Sequence, residues 1–264
     1  MRIAIIGGGV MGEAMLSATL EAGILKAADV TVCDVVEARR AVLADAYRVA
    51  VTADASACLA AADLAVLSIK PQDLHTVRGT LPAASLLVSI MAGVRIATLQ
   101  RELGHDRIVR AMPNTPVAVK AGMTVWTATS GVTGAQRELA AGLFAAIGRE
   151  IYVDDEKKLD MATAVSGSGP GYVLLFIEAM IDGGVSIGLT RQQATEMVLQ
   201  TVYGSALYAQ ESGKPAAELR GMVTSPAGTT AAGLFELEKG SVRAAIIESI
   251  KAAHQRAIEL GGPA

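Results

Sequence analysis

Gly7-Gly8-Gly9-Val10-Met11-Gly12 has the spacing G-x-G-x-x-G, directly after the apolar run Ile3–Ile6 and opening a helical pattern from Met11 to about Ala22. In that setting the first glycine makes a tight turn and the second lets backbone approach a pyrophosphate. The third lets helix pack closely on strand. The free N–H groups of the helix start and its dipole then favour phosphate. A second apolar run, Val30–Cys33, ends at Asp34, where a carboxylate would accept from a ribose 2′-OH. Arg39 and Arg40 follow, and read either as partners for a 2′-phosphate or as solvated charges on a helix. Asp34 argues for NADH and the arginines for NADPH, so both cofactors stay open. Ser68-Ile69-Lys70-Pro71 ends a further strand. Ligands of such sheets bind outside the carboxyl ends of strands, so Lys70 is expected to face the cofactor, the alternative being a plain surface lysine.

Two later segments resemble ligand loops more than connectors: Ser166-Gly167-Ser168-Gly169-Pro170 and Thr224-Ser225-Pro226-Ala227-Gly228-Thr229-Thr230. Each reads as a helix start, with Pro170 or Pro226 first in the helix and Ser168, Gly169 or Ser225 as cap. A start rich in hydroxyls and poor in bulk would hold a carboxylate without any arginine; two ordinary capped helices are the alternative. No catalytic dyad stands out. His75, His105 and His254 have no motif around them and are expected at the surface. Glu178 and Asp182 share a helix face and are read as its polar side rather than as an acid pair. Cys33 and Cys58 give neither metal spacing nor a disulfide framework and suit a reducing compartment.

These residues need elements to hold them. Strand patterns at Ile3–Ile6, Val30–Cys33, Leu64–Ile69, Leu86–Ile90, Ile108–Met112, Thr124–Ala128 and Ile151–Val153 alternate with helical patterns. That alternation predicts an α/β domain with a parallel, doubly wound sheet over residues 1–154. Residues 155–264 then carry almost only helix signal, at Pro170–Val185, Arg191–Gln210, Ala227–Leu237 and Val242–Leu260. The helix from Pro170 is apolar on nearly every side and must be covered all round, so a homodimer through the helical domain is expected. Glu178, Asp182 and glycines interrupt that helix, which a membrane span would bear poorly. The balance of 23 Lys+Arg against 26 Asp+Glu, net −3, with no basic block, speaks against nucleic acid and anionic membranes. Met1-Arg2 runs straight into a strand without an apolar leader, so the cytoplasm is the expected location.

Val223-Thr-Ser-Pro-Ala-Gly-Thr-Thr-Ala-Ala-Gly-Leu234 closely resembles the signature of the pyrroline-5-carboxylate reductase family. Ser166-Gly-Ser-Gly-Pro-Gly-Tyr172, Met112-Pro-Asn-Thr-Pro116, Ile69-Lys-Pro71 and the glycine loop resemble it too, in family order over nearly the whole chain. The resemblance implies reduction of L-1-pyrroline-5-carboxylate to L-proline with hydride from NADPH or NADH. It implies a Rossmann domain followed by an all-helical dimerisation domain, and often a ring of dimers. By position it puts the cofactor against Gly7–Gly12 and Ser68–Pro71, with Met91-Ala92-Gly93 and Asn114 towards the nicotinamide. It puts the substrate on the Ser225 loop, at Gly228, Thr229 and Thr230, with the Thr230 hydroxyl orienting the ring nitrogen. The family usually has glycine where this chain has Ala227 and alanine where it has Gly171. Asp54-Ala55 stands where an asparagine is frequent. Right-handed backbone is expected at Ala227 because it follows proline at a helix start. A β-hydroxyacid dehydrogenase would need a lysine or an acid in these loops, and a nucleotide-sensing protein would need no turnover; both stay as alternatives.

Overall fold

The computed structural model describes residues 1–262. The chain runs β1 (Ile3–Ile6), α1 (Val10–Glu21), β2 (Val30–Cys33), α2 (Glu37–Tyr47), β3 (Ala50–Thr52), α3 (Ala55–Ala60), β4 (Leu64–Leu67) and β5 (Leu86–Ser89). It continues through α4 (Ile96–Leu103), β6 (Ile108–Met112), β7 (Gly122–Ala128), α5 (Gly134–Ala145) and β8 (Gly148–Tyr152). Helices follow: α6 (Lys157–Ala162), a π-helical turn (Thr163–Gly167), α7 (Gly169–Ser186), α8 (Arg191–Ser212), α9 (Ala216–Met222), α10 (Thr229–Lys239) and α11 (Val242–Leu260).

The strands form one sheet in the order β3-β2-β1-β4-β5-β6-β7-β8. From β3 to β6 all pairings are parallel. β7 runs antiparallel to β6, and β8 parallel to β7, so the parallel, doubly wound sheet carries two further strands of reversed direction at one edge. The reason is the connection: residues 113–121 hold only a short 3-10 helix, and a parallel return needs a longer crossover. β1, β4 and β5 are buried along their whole length, as strands covered on both faces must be. One face packs Ile3, Ile5 and Val66 against Leu16 of α1, Leu43 of α2 and Phe144 of α5. The other packs Ile6, Leu67 and Leu87 against Leu59 of α3 and Leu99 of α4.

The chain forms two compact units, one of Met1–Ser168 with the segment from Ala253 onward, the other Gly169–Ala252. By compactness the division falls after Ser168, because α6 is tied to the sheet. Arg110 of β6, only 3% exposed, pairs with Glu156 at 2.8 Å and Asp160 at 3.3 Å. Glu156 also accepts from the Ile96 N–H at 2.8 Å. Leaving a buried arginine unpaired costs about 3–5 kcal/mol, so these carboxylates stay with the first unit. His105, expected at the surface, is buried; its Nε2 lies 2.9 Å from the Ser85 carbonyl. In the second unit only Ala194, Val198 and Leu219 are buried hydrophobics, whereas Leu174, Leu175, Phe176 and Tyr203 are exposed. By length and apolar composition the helical run Lys157–Ser186 would suffice to cross a membrane.

Candidate functional site

The glycine loop lies at the carboxyl end of β1, at the point where the strand order reverses between β1 and β4. Gly7 has φ 99°, a conformation that strains other residues. A Cβ on Gly8 would collide with Leu43, and one on Gly12 with the Gly7 carbonyl and the Ser68 hydroxyl. Those three glycines hold the loop against its neighbours. Gly9 differs: it is exposed, caps α1 without any side-chain bond, and has nothing within 4 Å of where a Cβ would stand. The α1 start therefore opens at Gly9 onto a cavity of about 750 Å³, and Val10 beside it is exposed. Met11 is half-buried behind them.

Gly7, Gly9, Asp34, Ser68, Ile69 and Lys70 all line this cavity. Ser68 donates to the Gly7 and Ile6 carbonyls and so joins β4 to the loop. Lys70 is exposed, and Pro71 begins a 3-10 helix that turns the chain away from the strand end. Asp34 Oδ2 accepts from the Gly8 N–H at 2.8 Å and Oδ1 from the Val36 N–H at 2.9 Å. Neither arginine is a solvated bystander. Arg39 pairs with Glu13 and donates to the Gly8 carbonyl. Arg40 donates to the Asp34 carbonyl at 2.8 Å and the Val35 carbonyl at 3.1 Å. Asp54 also lines the cavity while capping α3, accepting from Ser56 and Ala57. Its place in the sequence marks it only as a departure from the family's asparagine.

Met91, Ala92 and Gly93 follow β5 at the same end of the sheet, Met91 buried and Ala92 exposed. They are outside the cavity lining. Gly93 has φ 74°, and a Cβ there would touch Leu260. Asn114 follows β6, and its amide is occupied: Oδ1 accepts from the Met123 N–H at 2.8 Å, and Nδ2 donates to the Ser166 carbonyl at 2.9 Å. That carbonyl is free because Pro170, four residues on, has no N–H to return to it. The missing bond also explains the π turn, in which Ser168 donates to the Thr163 carbonyl at 2.7 Å. Ser166–Pro170 is thus a turn inside a continuous helix, not a capped start, and the expected anion site at its head is absent.

The Ser225–Thr230 segment does open a helix, three residues later than its Ser-Pro pair suggests. Ser225, Pro226, Ala227 and Gly228 form a turn closed by the Gly228 N–H to the Ser225 carbonyl at 3.0 Å. Neither Ser225 as cap nor Pro226 as first helical residue holds: the N-cap of α10 is Gly228, with no side-chain bond to the first-turn amides. Ala227 has φ 57°, correcting the expectation of right-handed backbone. The third position of a proline turn of this kind demands positive φ. The Thr229 and Thr230 hydroxyls make no hydrogen bond among the described residues; Thr229 is exposed and Thr230 half-buried. Left-handed backbone costs alanine about 1–2 kcal/mol, and glycine returns part of that as unfolded-state entropy. Ala227→Gly is therefore expected to raise stability by up to about 1 kcal/mol, read from urea unfolding at fixed protein concentration. An unmoved or lowered midpoint would show that the turn is not strained.

Neither cysteine offers a nucleophile. Both are free and buried; burial pushes the Cys58 thiol up to about 12 and raises that of Cys33.

Residues 156–260 match the family model described as pyrroline-5-carboxylate reductase dimerisation. Residues 2–93 match one described as NADP oxidoreductase, coenzyme F420-dependent. The pyrroline-5-carboxylate reductase of Synechocystis sp. is 41% identical, with 99% of this chain and 98% of that protein covered. Among solved structures, the Coxiella burnetii pyrroline-5-carboxylate reductase superposes with TM-score 0.90 at 33% identity, covering 99% of both chains. The Plasmodium falciparum enzyme, determined with NADP bound, gives 0.88 at 30%, covering 99% of this chain and 98% of its own. With its glycine loop, its bare α10 start and this end-to-end likeness, the chain belongs to the pyrroline-5-carboxylate reductase family.

Proposed function

We propose that this protein reduces L-1-pyrroline-5-carboxylate to L-proline, using NADPH or NADH. The observation that carries the reading is the end-to-end likeness to pyrroline-5-carboxylate reductases in a chain that keeps an open glycine loop. The cofactor's chemistry is the supply of hydride to the imine carbon. The chain's own residues supply position. Gly9 and the α1 amides receive the pyrophosphate, Asp34 the ribose, and Ser68–Pro71 the face between β1 and β4. Met91–Gly93 and Asn114 shape the nicotinamide end, Asn114 by holding the Ser166 turn to β7. The amides of Gly228, Thr229 and Thr230 receive the substrate carboxylate, with Ser225 keeping the preceding turn. The Thr230 hydroxyl steers the ring nitrogen. A protonated imine is already electrophilic, so no strong acid or base is required.

The second unit is read as one half of a homodimer, and a ring of such dimers is the assembly we favour. Three buried hydrophobics cannot stabilise a five-helix unit alone, and the exposed apolar faces of α7 and α8 ask for a partner copy rather than a bilayer. Light scattering on dilute protein should give the mass of a dimer or a multiple of it; an active monomer would remove this reading. Two free, buried thiols suit the cytoplasm, and a small-molecule substrate with no nucleic-acid partner fits the net charge of −3.

Steady-state oxidation of NADH and NADPH with pyrroline-5-carboxylate tests the function. Proline as product, with no turnover of β-hydroxyacids, is expected. Turnover of a hydroxyacid alone, or of neither, would overturn it.

A further inference from the structure

From the charges around the ribose end of the cavity we infer that the protein selects NADH over NADPH. The inference rests on the reading of the chain as a nicotinamide-dependent reductase and adds which cofactor its own residues accept. On the β2–β3 side of the cavity stand two carboxylates, Asp34 and Asp54. Both are pinned by backbone amides, Asp34 by Gly8 and Val36, Asp54 by Ser56 and Ala57. Each Asp34 oxygen still has a lone pair for a ribose hydroxyl. A 2′-phosphate would bring nearly two further negative charges to the same place. The Cys33 thiol is raised first by burial and then by Asp34 and Asp54, with Arg40 opposing them by less, so the net field there is negative.

The two arginines on that side are already engaged with the chain. Arg39 is committed to Glu13 and the Gly8 carbonyl. Glu13 is itself held by the Tyr47 hydroxyl at 3.0 Å. Arg40 donates through Nη1 to the Asp34 and Val35 carbonyls, which holds its guanidinium against the loop backbone. The two residues after Asp34 that line the cavity are valines, Val35 and Val36, and Val35 is 86% exposed. Their side chains offer a phosphate no donor. The lining cations Lys70 and Arg78 come after β4, on the opposite side of β1.

Calorimetric titration of the full-length protein with NADH and with NADPH should give at least ten-fold tighter binding of NADH, and kcat/KM should follow. Asp34→Ser should move the NADH/NADPH affinity ratio at least ten-fold towards NADPH. Because Asp34 also anchors Gly8, a second variant leaves that anchor alone: Val35→Arg should move the ratio in the same direction by a similar factor. Equal or tighter binding of NADPH by the unaltered protein would overturn the inference. So would ratios that move less than about two-fold in both variants. Selective NADH binding without imine turnover would leave the inference standing and remove the reductase reading instead.

Discussion

Gly9→Val is expected to lower the affinity for reduced cofactor at least a hundred-fold, about 2.7 kcal/mol, while the protein stays folded. The backbone permits valine there, since Gly9 lies at φ −67°, ψ −173°, extended geometry that any residue adopts. The packing permits it too, because no atom stands within 4 Å of the new Cβ. The space it would enter is the cavity beside the α1 amides, where the pyrophosphate must approach backbone closely. Losing glycine as N-cap should cost about 1 kcal/mol or less. The neighbouring glycines make the contrast. A side chain at Gly8 or Gly12 meets Leu43 or the Gly7 carbonyl, so substitutions there should damage the fold together with binding. Titration with NADH and NADPH, alongside a melting curve, separates the two classes. Unchanged affinity for both cofactors in Gly9→Val would mean that phosphate is bound elsewhere.

Thr230→Ala should reduce kcat/KM for the imine by roughly ten- to several-hundred-fold, about 1.4 to 3.5 kcal/mol. The α10 start leaves its first amides without a side-chain cap, and the Thr230 hydroxyl has no partner among the described residues. A carboxylate on those amides puts the imine nitrogen one bond from the carbon that bears it, within plausible reach of that hydroxyl. Cofactor affinity should barely change, because Thr230 belongs to the Gly169–Ala252 unit and the glycine loop to the other. Thr230→Ser keeps the donor and should recover most of the activity. If the residue served only the helix, Ala would lower stability by up to about 2 kcal/mol, as lost caps do, and leave kcat/KM alone. That pattern would take Thr230 out of the site. The absence of any hydrogen bond from its hydroxyl to the helix speaks for the functional role.

Much of this was readable along the chain. Glycine spacing after a four-residue apolar run marked the β1–α1 turn, because a tight turn and a close helix approach admit little else. The strand and helix alternation was also legible, though short pieces escaped, among them β3, α6 and α9. β3 is three residues at a sheet edge, and α9 buries only Leu219; neither carries enough periodicity to register. The Thr224–Thr230 loop carries the family resemblance, but its helix starts three residues after the Ser-Pro pair that suggested it. A proline beside a serine suits a helix start and a turn equally well, and only the left-handed Ala227 decided for the turn.

By itself, then, the amino-acid order determined what depends on contiguous residues: which segments turn, which alternate, and where a phosphate would find free amides. The tertiary structure alone decided what depends on partners distant in sequence. Arg110 meets carboxylates 46 and 50 residues further on and carries α6 into the first unit. Asn114 closes the carbonyl that Pro170 leaves open, 52 residues from it at Ser166. His105 is buried by a carbonyl 20 residues earlier. Arg39 finds Glu13 and Gly8 across the β1–β2 edge. A charged or polar side chain reads as surface until its partner is known, because burying it is permitted only where that partner removes the cost of leaving water.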